Sequence, residues 1–79
     1  MRVHVRYFAA FRDATGVPGE TVDSAARTLR ALFDECAARH DRLHAERAAL
    51  VAVNDTMSEW EDGFEDGDEV LFFPPVAGG

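Results

Sequence analysis

The chain has 79 residues, enough for one small domain built on one core. Its formal net charge is −7, from eight arginines, no lysine and fifteen acidic residues. That sign repels phosphate backbones and anionic bilayers, which argues against nucleic-acid and membrane-surface partners and for a basic protein surface as partner. The same charge also serves simply to keep a small domain in solution. Hydrophobic residues make up 47% and charged residues 29%, the balance of an ordinary globular domain. A single cysteine, Cys36, leaves no internal disulfide framework and fits a reducing, cytoplasmic compartment. Met1-Arg2-Val3-His4 lacks the apolar segment of a signal peptide, and no apolar run reaches the length of a membrane span.

The first segment alternates. Val3, Val5 and Tyr7 point one way, and Arg2, His4, Arg6 and Phe8 the other, which predicts a half-buried strand. Phe8 is a large apolar group on the polar face. Ala9 to Ala14 reads as a short helical turn carrying Phe11, Arg12 and Asp13. Thr15-Gly16-Val17-Pro18-Gly19 is loop chemistry, and Glu20 to Val22 is a short second strand paired to the first as a hairpin.

Asp23 or Ser24 is the expected cap of one long helix. Ala25, Leu29, Leu32, Phe33 and Cys36 recur at i, i+4, i+7, i+8 and i+11, an apolar stripe at helical spacing. Residues 40–49 read equally as a helical tail, a short second helix or a loop. Leu50 to Asn54 is a strand with Val51 and Val53 inward, Asn54-Asp55-Thr56 a turn, and Met57 to Trp60 a short edge strand. Residues 61–68 form an acidic loop with glycines at 63 and 67. Glu69 to Phe73 is the last strand, with Val70 and Phe72 toward the core and Leu71 and Phe73 away from it. The predicted fold class is α+β: a mixed sheet of four or five strands with one main helix on one face.

That last strand runs into Pro74 and Pro75, which cannot donate to a sheet ladder. Beyond them stand Val76, Ala77, Gly78 and Gly79. From Pro74 to Gly79 an extended arm reaches on the order of 20 Å at ~3.3 Å per residue. Two terminal glycines fit a channel too narrow for a Cβ. The α-carboxylate at Gly79 is the one unusual functional group in the chain.

The ending Phe72-Phe73-Pro74-Pro75-Val76-Ala77-Gly78-Gly79, preceded by Asp66-Gly67-Asp68-Glu69-Val70, resembles the ubiquitin-like sulfur carriers of the MoaD/ThiS type. Within them it is most similar to small subunits of molybdopterin synthase. Tyr7-Phe8-Ala9-Ala10-Phe11-Arg12-Asp13 with Gly16, and Val51-Ala52-Val53-Asn54, carry the same resemblance. It implies a β-grasp fold with a free Gly-Gly tail. It also implies that an E1-like adenylyltransferase converts the Gly79 carboxylate to an acyl adenylate with ATP. Sulfur then replaces the adenylate, and the thiocarboxylate serves a cyclic pterin precursor inside the large synthase subunit, in a hetero-oligomer of the heterotetramer type. On this view the chain binds no cofactor and is a non-catalytic carrier, with the catalytic residues on its partners. Phe8, Arg12, Met57 and Phe73 match partner-contact positions of the family, and Leu71 joins them on the sheet face that does not meet the helix. Pro74, Pro75, Val76 and Ala77 lead the terminal group into the partner. Two alternatives share parts of this pattern: a carrier for another product such as thiamin or cysteine, or a protein modifier, and a plain ubiquitin-like binding module.

Other residues carry weaker signals. His40 and His44 have the i, i+4 spacing of a helical metal pair, but no third ligand is evident and no metal is expected. Cys36 lies on the apolar stripe and reads as a small buried hydrophobe. The acidic loop lacks the ligand spacing of a calcium loop. Trp60 reads either as loop packing or as the rim of an interface.

Overall fold

The alternation at the start of the chain becomes β1 (Arg2–Tyr7), with Val3, Val5 and Tyr7 buried and the residues between them exposed. A computed structural model describes residues 1–46 and 48–75. After β1 come α1 (Ala9–Thr15), β2 (Gly19–Asp23), α2 (Leu29–Arg39), β3 (Leu50–Val53), β4 (Thr56–Ser58) and β5 (Glu69–Phe73). The five strands form one sheet in the order β2-β1-β5-β3-β4. β5 lies parallel to β1 and antiparallel to β3, and the other pairs are antiparallel. This is the β-grasp arrangement, with the last strand in the middle of the sheet.

Local chemistry fixes the turns. Gly16 ends α1 with φ 77°, and its N–H donates to the Arg12 carbonyl, a left-handed cap that glycine adopts without cost. At Gly19 a Cβ would lie 2.7 Å from the Val5 carbonyl oxygen, so only glycine lets β2 approach β1 there. Asn54 and Asp55 both have positive φ, 49° and 69°, and form the two-residue turn between β3 and β4. Asn and Asp tolerate that region better than other side chains.

The main helix starts later than its sequence suggests. Thr28, not Asp23 or Ser24, is the cap: its hydroxyl accepts from the Ala31 N–H at 3.1 Å. Asp23 is still extended and paired with Arg2. The buried Ser24 hydroxyl accepts from the Ala26 N–H and donates to Glu35 at 2.5 Å. The chain needs these residues to cross from the sheet edge to its face. Ala25 is consequently exposed and Ala26 takes the inner position. Leu29, Leu32, Phe33 and Cys36 are buried as the stripe predicts. Residues 40–46 are irregular and send only Leu43 into the core, and Ala49 follows it inward just before β3.

Phe72 sits at the centre of the packed face. It is fully buried, 5.0 Å from the Phe33 ring, 5.9 Å from Trp60 and 6.3 Å from Tyr7. Trp60 therefore packs on the helix side of the sheet, with its Nε1–H donating to the Ala49 carbonyl. It lies beyond the end of β4, which stops at Ser58. The acidic loop is ordered by its own carboxylates: Asp62, Asp66 and Asp68 accept from the backbone N–H groups of Glu59, Arg2 and Glu65. Phe64 anchors this loop in the core.

A polar cluster closes the β2 side. The Tyr7 hydroxyl donates to Glu20 at 2.6 Å, and the same carboxylate lies 2.7 Å from His40 Nε2 and 3.3 Å from Arg39 Nη1. Burial pushes the Glu20 carboxyl up, but the hydrogen bonds from Tyr7 and His40 and the charge of Arg39 outweigh it and leave the group below its usual range. Burial, reinforced by Cys36 and Glu20, raises the Tyr7 phenol, so it stays a donor. A carboxyl with a lowered folded value stabilises above its unfolded value and loses that contribution as pH falls through the folded one. Glu20→Gln should therefore flatten the acid side of the urea-midpoint-versus-pH curve below about pH 4.3, the unfolded glutamate value. Glu20→Ala, which orphans the Tyr7 hydroxyl, should cost roughly 1–3 kcal/mol at neutral pH.

Candidate functional site at the open sheet face

α2 covers one face of the sheet and leaves the other open. Strand registers place side chains on that open face in rows. Arg6, Leu71, Ala52 and Met57 form one row across β1, β5, β3 and β4. Phe73 and Leu50 are opposite each other in the next row, and Phe8 completes it from the end of β1. The Phe8 and Phe73 rings stack with centroids 4.7 Å apart and planes 15° apart. Both are half-buried, whereas Leu50 and Met57 are 55% and 56% exposed. Together they form an apolar surface at the end of β5, of the kind that marks a protein interface.

Leu71 departs from expectation. Its side chain is on the open face, but it is only 9% exposed. It occupies the central strand, with Arg6 and Ala52 across from it and Glu69 and Phe73 along the strand on the same face, so its neighbours enclose it. It supports the patch from beneath and offers little surface of its own. Leu50 takes the exposed position instead. The alternation that puts Val51 and Val53 inward already puts Leu50 outward, and that signal was present in the sequence.

Arg6 borders the patch. Its guanidinium carbon lies 6.0 Å from the Phe8 ring centroid and its Nη1 3.8 Å from Glu69. Both side chains of that ion pair are well exposed, so it contributes little to stability. Arg12 lies on α1, one turn beyond Phe8, whose carbonyl accepts from the Arg12 N–H at 3.4 Å. Its side chain is exposed, and among the described residues it forms no ion pair. Pro74 is half-buried and Pro75 exposed where the chain leaves β5. Val76, Ala77, Gly78 and Gly79 lie outside the described residues.

A family model, the ThiS family, matches residues 5–79. The chain belongs to the ThiS family. The molybdopterin synthase sulfur carrier subunit of Escherichia coli is 40% identical to this ThiS-family chain over 80 residues, 98% of this chain and 99% of its own. The small archaeal modifier protein 1 of H. volcanii covers 95% of this chain and 98% of its own length with a TM-score of 0.82. At 20% identity, that likeness establishes the shared β-grasp fold. A chain of the complex of subunits 1 and 2 of molybdopterin-converting factor from Helicobacter pylori is 26% identical, with both chains fully covered and a TM-score of 0.60.

The other candidates of this ThiS-family chain separate from the patch. His40 is the C-cap of α2 and is bonded to Glu20, while His44 is exposed in an irregular segment, so the two are not on one helix face. Among the described residues no group of three or more His, Cys, Asp or Glu is arranged to hold a metal ion. Cys36 is fully buried, and burial pushes its thiol up although the nearby Arg39 guanidinium, 3.8 Å from Sγ, opposes the shift. It is a packing residue of α2.

The two faces of β5 should respond differently to substitution. Phe72→Ala should lower unfolding free energy by about 3–5 kcal/mol. Phe73→Asp, on the open face, should cost only about 1 kcal/mol, the scale of an aromatic pair. Urea denaturation of both variants checks the assignment, and a Phe73→Asp variant that is globally unfolded contradicts it.

Proposed function

We propose that this chain is the sulfur carrier subunit of a molybdopterin synthase. The observation that carries the reading is 40% identity, over nearly the whole of both chains, to a protein of that name. This chain's own order of last strand, proline pair and Gly-Gly is the one expected of a carrier. An exposed apolar face at the root of the terminal segment supports it, because a carrier needs a docking surface beside its working end. Phe8, Met57, Leu50, Phe73 and Arg12 are the docking residues in this reading. Pro74 to Ala77 lead the end into the partner, and Gly78 and Gly79 present the acyl group.

The chemistry follows from the carboxylate. A carboxylate resists nucleophilic attack because its charge is delocalised and oxide is a poor leaving group. An oxygen of the Gly79 carboxylate attacks the α-phosphorus of ATP on an E1-like enzyme, and pyrophosphate leaves. Sulfide-level sulfur then attacks the acyl carbon and AMP leaves; if the sulfur arrives as a donor persulfide, a second thiol cleaves the acyl disulfide and leaves as the donor's disulfide. Either way a thiocarboxylate remains. That sulfur is a soft nucleophile on a defined support. It attacks a carbon of a cyclic pterin precursor in the large subunit and displaces an oxygen leaving group there. Water then cleaves the acyl–sulfur bond, leaving the sulfur on the pterin and restoring the carboxylate. The carrier supplies the terminal group and the docking face, and its partners supply the catalytic residues. Among the described residues no helix is long and apolar enough to cross a membrane. The need for ATP and a lone reduced cysteine favour the cytoplasm as its compartment.

Incubation with the cognate activating enzyme, ATP and a sulfur donor should add the mass of one oxygen-to-sulfur exchange, localised to Gly79. Deletion of Gly78 and Gly79 should abolish that gain while leaving the thermal transition unchanged. Persistent absence of the mass gain in the full chain overturns the reading. A truncated chain that keeps its biological role points to a plain binding module.

A further inference from the structure

The residue after Phe8 is in an unusual conformation. Ala9 has φ 50°, a left-handed backbone that costs a non-glycine residue roughly 1–2 kcal/mol. The neighbouring structure holds it there. Phe8 is extended, with φ −119° and ψ 150°, and its N–H donates to the Phe72 carbonyl at 3.3 Å, continuing the β1–β5 ladder beyond the strand. Its carbonyl accepts from Phe11 N–H at 3.0 Å and Arg12 N–H at 3.4 Å, which starts α1. The turn at Ala9 thus lets the chain leave the sheet for α1 while the Phe8 ring stays stacked on Phe73. Residues held in sparsely populated backbone regions concentrate where function requires a fixed geometry.

Phe73 is the last residue of β5, and two prolines follow it. Proline fixes φ near −65°, and each residue before a proline is confined to extended conformations. A direction set at Phe73 is therefore carried through Pro74 and Pro75 rather than lost at the first bond. The remaining distance makes small errors matter. A tilt of ~10° at the root displaces the chain by about 1 Å already at the end of the proline pair, ~7 Å away. Reacting atoms must come within ~3–3.5 Å in a near-attack arrangement, so an error of that size is costly.

We propose that Phe8 is a positioning residue: its ring, stacked on Phe73 and held by the left-handed turn at Ala9, fixes the direction in which the chain leaves β5 toward its acyl end. This rests on the carrier reading above and goes beyond a partner-contact role for Phe8. A simple contact residue governs how tightly the partner binds. A positioning residue governs how often the bound end reaches the reacting centre.

The experiment is ATP–pyrophosphate exchange by the cognate activating enzyme, with the concentration of the full chain varied to separate KM from kcat, and Kd measured by calorimetry. Phe8→Leu keeps an apolar side chain but removes the stacked ring. It should lower kcat about tenfold, over and above any rise in KM and Kd from the lost docking contact, the pattern of lost geometry added to lost affinity. Phe8→Tyr keeps the ring and should restore wild-type kcat. A rise in KM and Kd with unchanged kcat for Phe8→Leu would make Phe8 a contact residue and overturn the proposal. If Phe8→Leu loses its cooperative thermal transition, Ala9→Gly decides. It keeps both rings and the left-handed angle but frees the turn to visit others, and an unchanged kcat for that variant also overturns the proposal. An inactive wild-type chain removes the carrier reading itself, a result distinct from either variant outcome.

Discussion

Burial of Phe72 in the middle of the sheet is the constraint on which both faces of the molecule depend. β5 is the last strand in the sequence but the central one in space, between β1 and β3. One face of its end is fixed by Phe72 among Phe33, Trp60 and Tyr7. The period of two then forces Phe73 to the opposite face. The strand cannot slip by one residue without placing Phe72 in solvent and Phe73 under α2. The register of the core and the position of the exposed patch are thus one decision.

The open face combines two kinds of surface. Apolar side chains gather at the end where Phe73 meets Pro74, and charged and polar groups (His4, Arg6, Glu69) occupy the rest of it. A net charge of −7 over the whole domain repels other copies and so helps keep such a patch in solution. Several of the acidic residues also have local structural work. Asp62 and Asp68 cap turns, Asp66 ties the acidic loop to the start of β1 at Arg2, and Glu20 joins β2 to the end of α2 through Tyr7, His40 and Arg39. The charge of this chain is therefore partly a consequence of how its loops satisfy their backbone N–H groups.

The division of labour in the proposed carrier rests on the open face. Among the described residues α2 covers one face of the sheet and the other stays open. In the proposed carrier the partners supply the chemistry, and the domain would contribute a docking surface and a point of departure for the chain. The aromatic pair Phe8–Phe73 belongs to both contributions, since it is half-exposed on the docking face and adjoins the prolines.

The alternation of β1, the apolar stripe of α2, the Asn54-Asp55 turn and the proline stop after β5 were legible in the sequence, because each depends on residues a few positions apart. So were the fold class and the resemblance to sulfur carriers, which reside in the order of elements and in the terminal segment. The start of α2 at Thr28 was not legible, since Asp23 and Ser24 are equally good caps until the sheet requires Asp23 for pairing with Arg2. Nor was the burial of Leu71: its face follows from parity, but its enclosure depends on neighbours from β1 and β3 that the sheet order brings together. The cluster of Tyr7, Glu20, Arg39 and His40 spans three separate segments, and no local spacing announces it. By itself the sequence determined which residues face together along each strand and helix, since that periodicity is a property of the backbone. Only the tertiary structure decided which of those faces are covered and which stay open, because cover comes from elements distant in the chain.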